Sequence, residues 1–200
     1  MPHNAGSWDA FALILVDVQR DFWRDEMSSS FEDYEKNTGE LLALCRAEGI
    51  DIVHLKAEFA ADRSDWMARY LFEDRIPCVK GTAGAEVFSC AAPGQGERQF
   101  TKQTFDGFQS PELVSYLESA GKRFLFIAGL VTSVCVLFTA ATAAQQGYLV
   151  ALVEDCCADN PEANRHTLER YPFVFERTRV DQILALKNDY DEKIVSLPSS

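Results

Sequence analysis

The sequence is poor in positive charge and in histidine. Its 200 residues carry 19 Lys and Arg against 31 Asp and Glu, a formal net charge of −12. Nucleic-acid binding needs a basic stripe, and none is present, so no nucleic-acid partner is expected. No run approaches the roughly 20 uncharged apolar residues of a membrane span, so no membrane partner is expected either. The opening MPHNAGSWDA has no basic stretch followed by an apolar one. A secretory signal is therefore not expected, and the cytoplasm is the expected location. The six cysteines are then expected as thiols. They form no CxxC pair, Cys156 and Cys157 are adjacent, and the three histidines (His3, His54, His166) lie far apart. Such spacing offers no zinc site, and no metal or other cofactor is expected.

What is present is apolar. Hydrophobic residues make up 47% of the chain, a globular composition. The length suits one domain over 1–200 and is short for two. Four uninterrupted apolar runs predict buried strands: Phe11–Val16, Ile50–Leu55, Phe124–Ala128 and Tyr148–Val153. Helical spacing predicts Thr38–Ala47, Pro111–Ala120, Ser133–Gln146 and Pro161–Tyr171 as helices, with Gly49, Gly121 and Gly147 closing three of them. Ser110 and Pro111 form a helix start. Further strands are predicted at Arg98–Lys102 and near Phe173–Arg177. Alternation of strand and helix with short joints predicts an α/β fold. Its core is a three-layer, doubly wound sheet of about six mainly parallel strands, Rossmann-like, with helices on both faces. The stretch from Glu58 to Gly96 is long and irregular, with a short helix in RSDWMARYLF, and loops of that length are usually functional.

Open α/β sheets bind ligands beyond the carboxyl ends of their strands. The strand ends here deliver Asp17 (VDVQRDFW), Lys102 (FTKQTFDGF) and Cys135 (GLVTSVC). Each alone has an ordinary structural reading: a turn carboxylate, a solvated lysine, a core cysteine. Together they offer an acid, a base and a nucleophile. A helix start and Lys102 would stabilise a Cys135 thiolate, and Asp17 could take the thiol proton. Aromatic residues on the loops beyond these strands are candidates for substrate binding. They are Phe22, Phe59, Trp66, Phe105 and Phe138, with Trp23 and Phe108 beside them and polar Gln19 in the first loop. Such a rim suits a small, flat or apolar acyl group. Arg63 and Arg69 are expected in surface ion pairs. The tail KNDYDEKIVSLPSS is expected to pack on a neighbouring copy or stay loose.

The segments LILVDVQRDF, FTKQTFDGF and AGLVTSVCVLFTAATAAQQGYLVALVEDCCAD, in that order and with GTAGAE between the first two, resemble the isochorismatase-like cysteine hydrolases. That superfamily includes nicotinamidases and N-carbamoylsarcosine amidases. The resemblance implies a catalytic triad of Asp17, Lys102 and Cys135. It also implies a non-proline cis peptide at Leu130–Val131 and an oxyanion hole from the N–H groups of Val131 and Cys135. The implied chemistry is hydrolysis of a C–N bond in a small carboxamide or ureido substrate through a Cys135 thioester. A homodimer or homotetramer is implied as well. Nicotinamidases carry an Asp-x-His pair and a further histidine for a metal. This chain reads HLKAEFAADRSDW there, and His54 is expected as a packed core residue. Alternatives are an isochorismatase-type enol-ether hydrolase and a non-catalytic binding member of the fold.

Overall fold

The four apolar runs form the middle of the sheet, and the two more polar strands form its edges. A computed structural model describes residues 6–198; His3 lies outside the described residues. The strands are β1 (Phe11–Val16), β2 (Asp51–Ala57), β3 (Arg98–Lys102), β4 (Phe124–Leu130), β5 (Leu149–Ala158) and β6 (Glu176–Thr178). All neighbours pair in parallel, in the order β3-β2-β1-β4-β5-β6. Every residue of β1 and β4 is buried, whereas β3 is mostly exposed. Burial on both faces demands continuous apolar sequence, and an edge does not.

The helices are α1 (Asp25–Ser28), α2 (Tyr34–Glu48), α3 (Ala68–Glu73), α4 (Pro111–Ser119), α5 (Leu137–Gln145), α6 (Pro161–Arg170) and α7 (Lys187–Ser196). From β1 the chain winds toward β2, and from β4 it winds the other way toward β5. Right-handed crossovers in opposite directions place helices on opposite faces, which gives three layers. Local signals set the boundaries. Ser110 Oγ accepts from the Leu113 N–H with Pro111 next to it, and Asn160 accepts from Glu162 and Ala163 at the start of α6. Gly49 closes α2 at φ 73°.

Three expectations change. β5 continues past Val153 to Ala158 because its charges find partners. Glu154 pairs with Arg177 and Arg179, and Asp155 accepts the Val180 N–H. Cys156 and Cys157 are consequently buried inside a strand. The segment expected as the first turn of an α-helix from Ser133 is instead one π-helical turn, Thr132–Val136, and regular helix begins at Leu137. The tail is not loose. Its helix α7 docks on the chain's own sheet: Tyr190 is buried, with its ring centroid 4.6 Å from Phe124 and 5.6 Å from Phe126.

That docking completes an aromatic cluster of Trp8, Phe11, Phe124, Phe126 and Tyr190 at the start of β1 and β4. Each fully buried ring contributes about 2 kcal/mol. The amino ends of these strands thus carry an aromatic cluster, while the carboxyl ends carry the polar residues. At one carboxyl end, Gly129 (φ 129°) faces Val16 so closely that any Cβ would lie inside the Val16 backbone. Only glycine lets β1 and β4 approach there.

Candidate active site

The winding of the sheet reverses between β1 and β4, and the crevice beyond their carboxyl ends is the natural ligand position in this architecture. Asp17 is the first residue after β1, Lys102 is the last of β3, and Cys135 lies in the π-helical turn after β4. The structure brings the three together. Lys102 Nζ donates to Asp17 Oδ2 at 2.6 Å, to the Thr104 carbonyl at 2.9 Å and to Cys135 Sγ at 3.6 Å. An ammonium has three N–H groups, so its donors are fully used. β2 stands between β3 and β1, and Lys102 must reach across it. Its pairing partner on β2 is Ala57, whose methyl group is too short to block the path.

Asp17 sits in the left-handed region, φ 49°, a conformation that costs an L-residue about 1–2 kcal/mol. Two backbone hydrogen bonds hold it there: its N–H donates to Leu55 O and its carbonyl accepts from Gln19 N–H, both at 2.7 Å. Gln19 does not face a ligand, contrary to expectation. Its fully buried amide takes the place of a strand next to β2, accepting the Ala57 N–H and donating to the Ala57 carbonyl, each at 2.9 Å. A third bond, to the Ala85 carbonyl, ties the first loop to the long one.

Burial sets the electrostatics. It pushes the Asp17 carboxyl above its ordinary value, and the Lys102 ammonium offsets only part of that. Burial also pushes the Cys135 thiol well up, and the Asp17 charge adds to it. Lys102 loses by burial but gains more from Asp17 and Cys135, so it stays an ammonium. The hollow thus balances one cation against one anion. Asp17 Oδ1, fully buried, has no regular hydrogen-bond partner among the described residues, although the carboxylate and the thiol interact.

The π-helical turn is fixed from the joint between β5 and α6 and from α6 itself. Ser133 donates to Asp159 Oδ2 twice, from its N–H at 2.9 Å and its Oγ at 2.5 Å. Thr132 Oγ1 donates to Asn164 Oδ1 at 2.5 Å. The peptide Leu130–Val131 that enters the turn is cis. No hydrogen bond joins the Val131 N–H to a described residue.

An isochorismatase domain model matches residues 11–172. The chain belongs to the isochorismatase family. It is 30% identical over 160 residues to the secreted isochorismatase effector Isc1 of Verticillium dahliae, covering 80% of this chain and 78% of that one. It is 31% identical over 150 residues to a streptothricin hydrolase of Streptomyces noursei, covering 74% of this chain and 54% of that one. A crystal structure of an isochorismatase family protein from Desulfovibrio vulgaris superposes with a TM-score of 0.79 at 25% identity, over 88% of this chain and 97% of that one. The protein is a hydrolase of this family, with amidases among its relatives.

Within this isochorismatase-family site the aromatic candidates separate. Phe105 is stacked on half-exposed Phe138, centroids 6.2 Å apart, one turn past Cys135. Phe59 is buried in a small second core with Ala57, Ile76 and Cys78, and Phe22 and Trp66 pack against that core. Phe59 thus sits inside the loop's own core, and Tyr70 packs at its edge beside Phe22 and Trp66. Trp66 donates its indole N–H to the Ala60 carbonyl at 2.7 Å and lies under Arg63. Phe108 is buried against Tyr148, and half-buried Trp23 packs on Tyr34. Arg63 and Arg69 form surface ion pairs with Asp74 and Glu73. His54 is a buried histidine, 2.6 Å from Glu97.

Sequence reasoning missed Tyr70, Asp159 and Asn164. Tyr70 lies four residues after Trp66, a helical spacing visible in RSDWMARYLF. Asp159 stands one residue before the Asn-Pro start of α6, where a carboxylate can face the neighbouring turn.

Proposed function

We propose that the protein is a metal-independent cysteine amidohydrolase that cleaves a C–N bond of a small carboxamide or ureido substrate through a thioester on Cys135. The observation that carries this reading is the buried Lys102 ammonium, 2.6 Å from Asp17 and 3.6 Å from Cys135 Sγ. Asp17 takes the thiol proton as Sγ attacks the substrate carbonyl carbon. Negative charge then moves from carboxylate to sulfur to carbonyl oxygen while Lys102 stays between them, so no step leaves two anions in the hollow. The N–H groups of Val131 and Cys135 hold the oxyanion. The C–N bond breaks as Asp17 passes its proton to the departing nitrogen. Water attacks the thioester with Asp17 as base, and the thiol is restored. Protein side chains perform every proton transfer in this scheme, and among the described residues no cluster of His, Cys, Asp or Glu is arranged to hold a metal.

The test is a panel of small amides and ureas scored by ammonia release. Wild type turns over at least one of them, and Cys135→Ala reduces that rate by at least 10³-fold. Hydrolysis that survives the substitution rules out the thiol mechanism. The match to a relative named as an isochorismatase favours a second reading, enol-ether hydrolysis. That reading predicts pyruvate release from isochorismate that does not depend on Cys135.

A further inference from the structure

We propose that the Tyr70 hydroxyl is the specificity-determining contact of the site, donating a hydrogen bond to an acceptor on a flat, uncharged acyl group held against Phe105 and Phe138. The inference rests on the amidohydrolase reading for the location of the scissile bond, and it goes further by naming what selects the substrate.

Tyr70 is carried by α3, in the long loop between β2 and β3. Its ring meets Phe105 edge-on at 6.2 Å and Phe59 edge-on at 6.1 Å. Phe105 in turn stacks on Phe138, which follows Cys135 on α5. The chain Tyr70–Phe105–Phe138 thus makes an aromatic wall that begins at the lid-like loop and ends one turn from the sulfur. Two stacked rings provide a flat apolar surface, and such a surface favours a planar group.

The phenol is the polar exception in that wall. It makes no hydrogen bond to a described residue. Its ring is linked through Phe105 to Phe138, one turn past Cys135. After burial, the largest influence raising its pKa is Cys135, and Lys102 and Asp17 act on it as well. A half-buried hydroxyl beside a reactive centre, with no protein partner, is free to bond a ligand.

The nearby cations do not compete for that role. All three Lys102 donors are engaged. Arg63 is tied to Asp74 and Arg69 to Glu73, while Lys56 and Lys80 both hold Glu58. A substrate carboxylate would have to break one of these pairs or draw on exposed Arg75, in a protein of net charge −12. A neutral acceptor needs only the phenol.

The test compares methoxybenzamides with the matching ethylbenzamides at each ring position, for wild type and Tyr70→Phe. The ring is retained in Tyr70→Phe, so the aromatic wall is kept. Wild type should prefer one methoxy isomer over its ethyl counterpart in kcat/KM, and that preference should fall about tenfold in Tyr70→Phe, the loss of one neutral hydrogen bond. The same compounds are titrated calorimetrically against Cys135→Ser with and without Tyr70→Phe, where the preference in Kd should fall likewise. A preference in binding that tracks Tyr70, with no benzamide hydrolysed by wild type, upholds the contact and counts against the amidohydrolase reading. A preference that Tyr70→Phe leaves intact, no methoxy preference at any position, or no saturable binding of any compound overturns the proposal.

Discussion

Asp17 and Lys102 are costly to bury separately and tolerable only together. Breaking a buried ion pair by removing one partner costs about 3–5 kcal/mol, because the other charge is left unpaired. Lys102→Met should therefore lower stability by about that amount at pH 7. Asp17→Asn/Lys102→Met should recover most of the loss while remaining inactive. Urea denaturation of the single and double variants measures both. The Asp17 carboxyl also sets a pH limit. Its pKa is raised, so it adds no stability at neutral pH; whatever it contributes is present in acid and lost as pH rises through its folded value. For catalysis the carboxyl must be ionised. The acid limb of kcat is thus expected above the ordinary aspartate value of 3.8, with a slope of one proton. Asp17, Lys102 and Cys135 were legible because each ends or closely follows a strand, at the carboxyl edge where open α/β sheets bind ligands. Gln19 was not legible: a polar residue two positions past Asp17 reads as a loop residue facing ligand. Only the ladder shows that its amide stands in for a missing strand.

At the scale of elements, the turn that carries Cys135 depends on the joint between β5 and α6. Asp159→Ala removes both bonds to Ser133 and should lower kcat about tenfold with a much smaller change in KM, while Asp159→Asn should keep part of the activity. Steady-state kinetics on the same amide decide this, and a loss confined to KM would show that Asp159 has no part in aiming the nucleophile. A second junction joins α2, β2 and the approach to β3. Burial raises Glu97, but the Arg46 guanidinium, the Gly94 N–H and His54 outweigh it and hold the carboxyl at about 2. Such a group adds stability that is present above its unfolded value and lost as pH falls toward its folded one. Wild type should weaken between pH 4.5 and pH 2 more steeply than Glu97→Gln, as read by denaturation at fixed pH values across that window. Both junctions join residues far apart in the chain, which is why periodicity did not reveal them. The strands did show in periodicity, since a two-sided buried strand needs an unbroken apolar run. The extension of β5 did not, because Glu154 and Asp155 interrupt that run and are tolerated only through partners contributed from β6 and the residues just beyond it.

Over the whole molecule, the two ends of the sheet have different tasks. The amino ends bury the aromatic cluster that α7 completes, and the carboxyl ends hold a strained aspartate, a buried lysine and a thiol. Tyr190→Ala should cost about 3–5 kcal/mol of stability and leave kcat/KM unchanged below the new melting temperature, because it touches only the amino end. The tail was the least legible element. Its sequence is charged and weakly periodic, and only the docking of Tyr190 against Phe124 makes it a helix of the fold. The account as a whole stands on acyl transfer to one sulfur. The measurement that tests it most directly is rapid-quench peptide mass spectrometry on the enzyme with an amide it turns over. The account predicts the acyl mass on the peptide bearing Cys135, absent in Cys135→Ala. Turnover at an undiminished rate by that variant, with no acylated peptide in wild type, would contradict it.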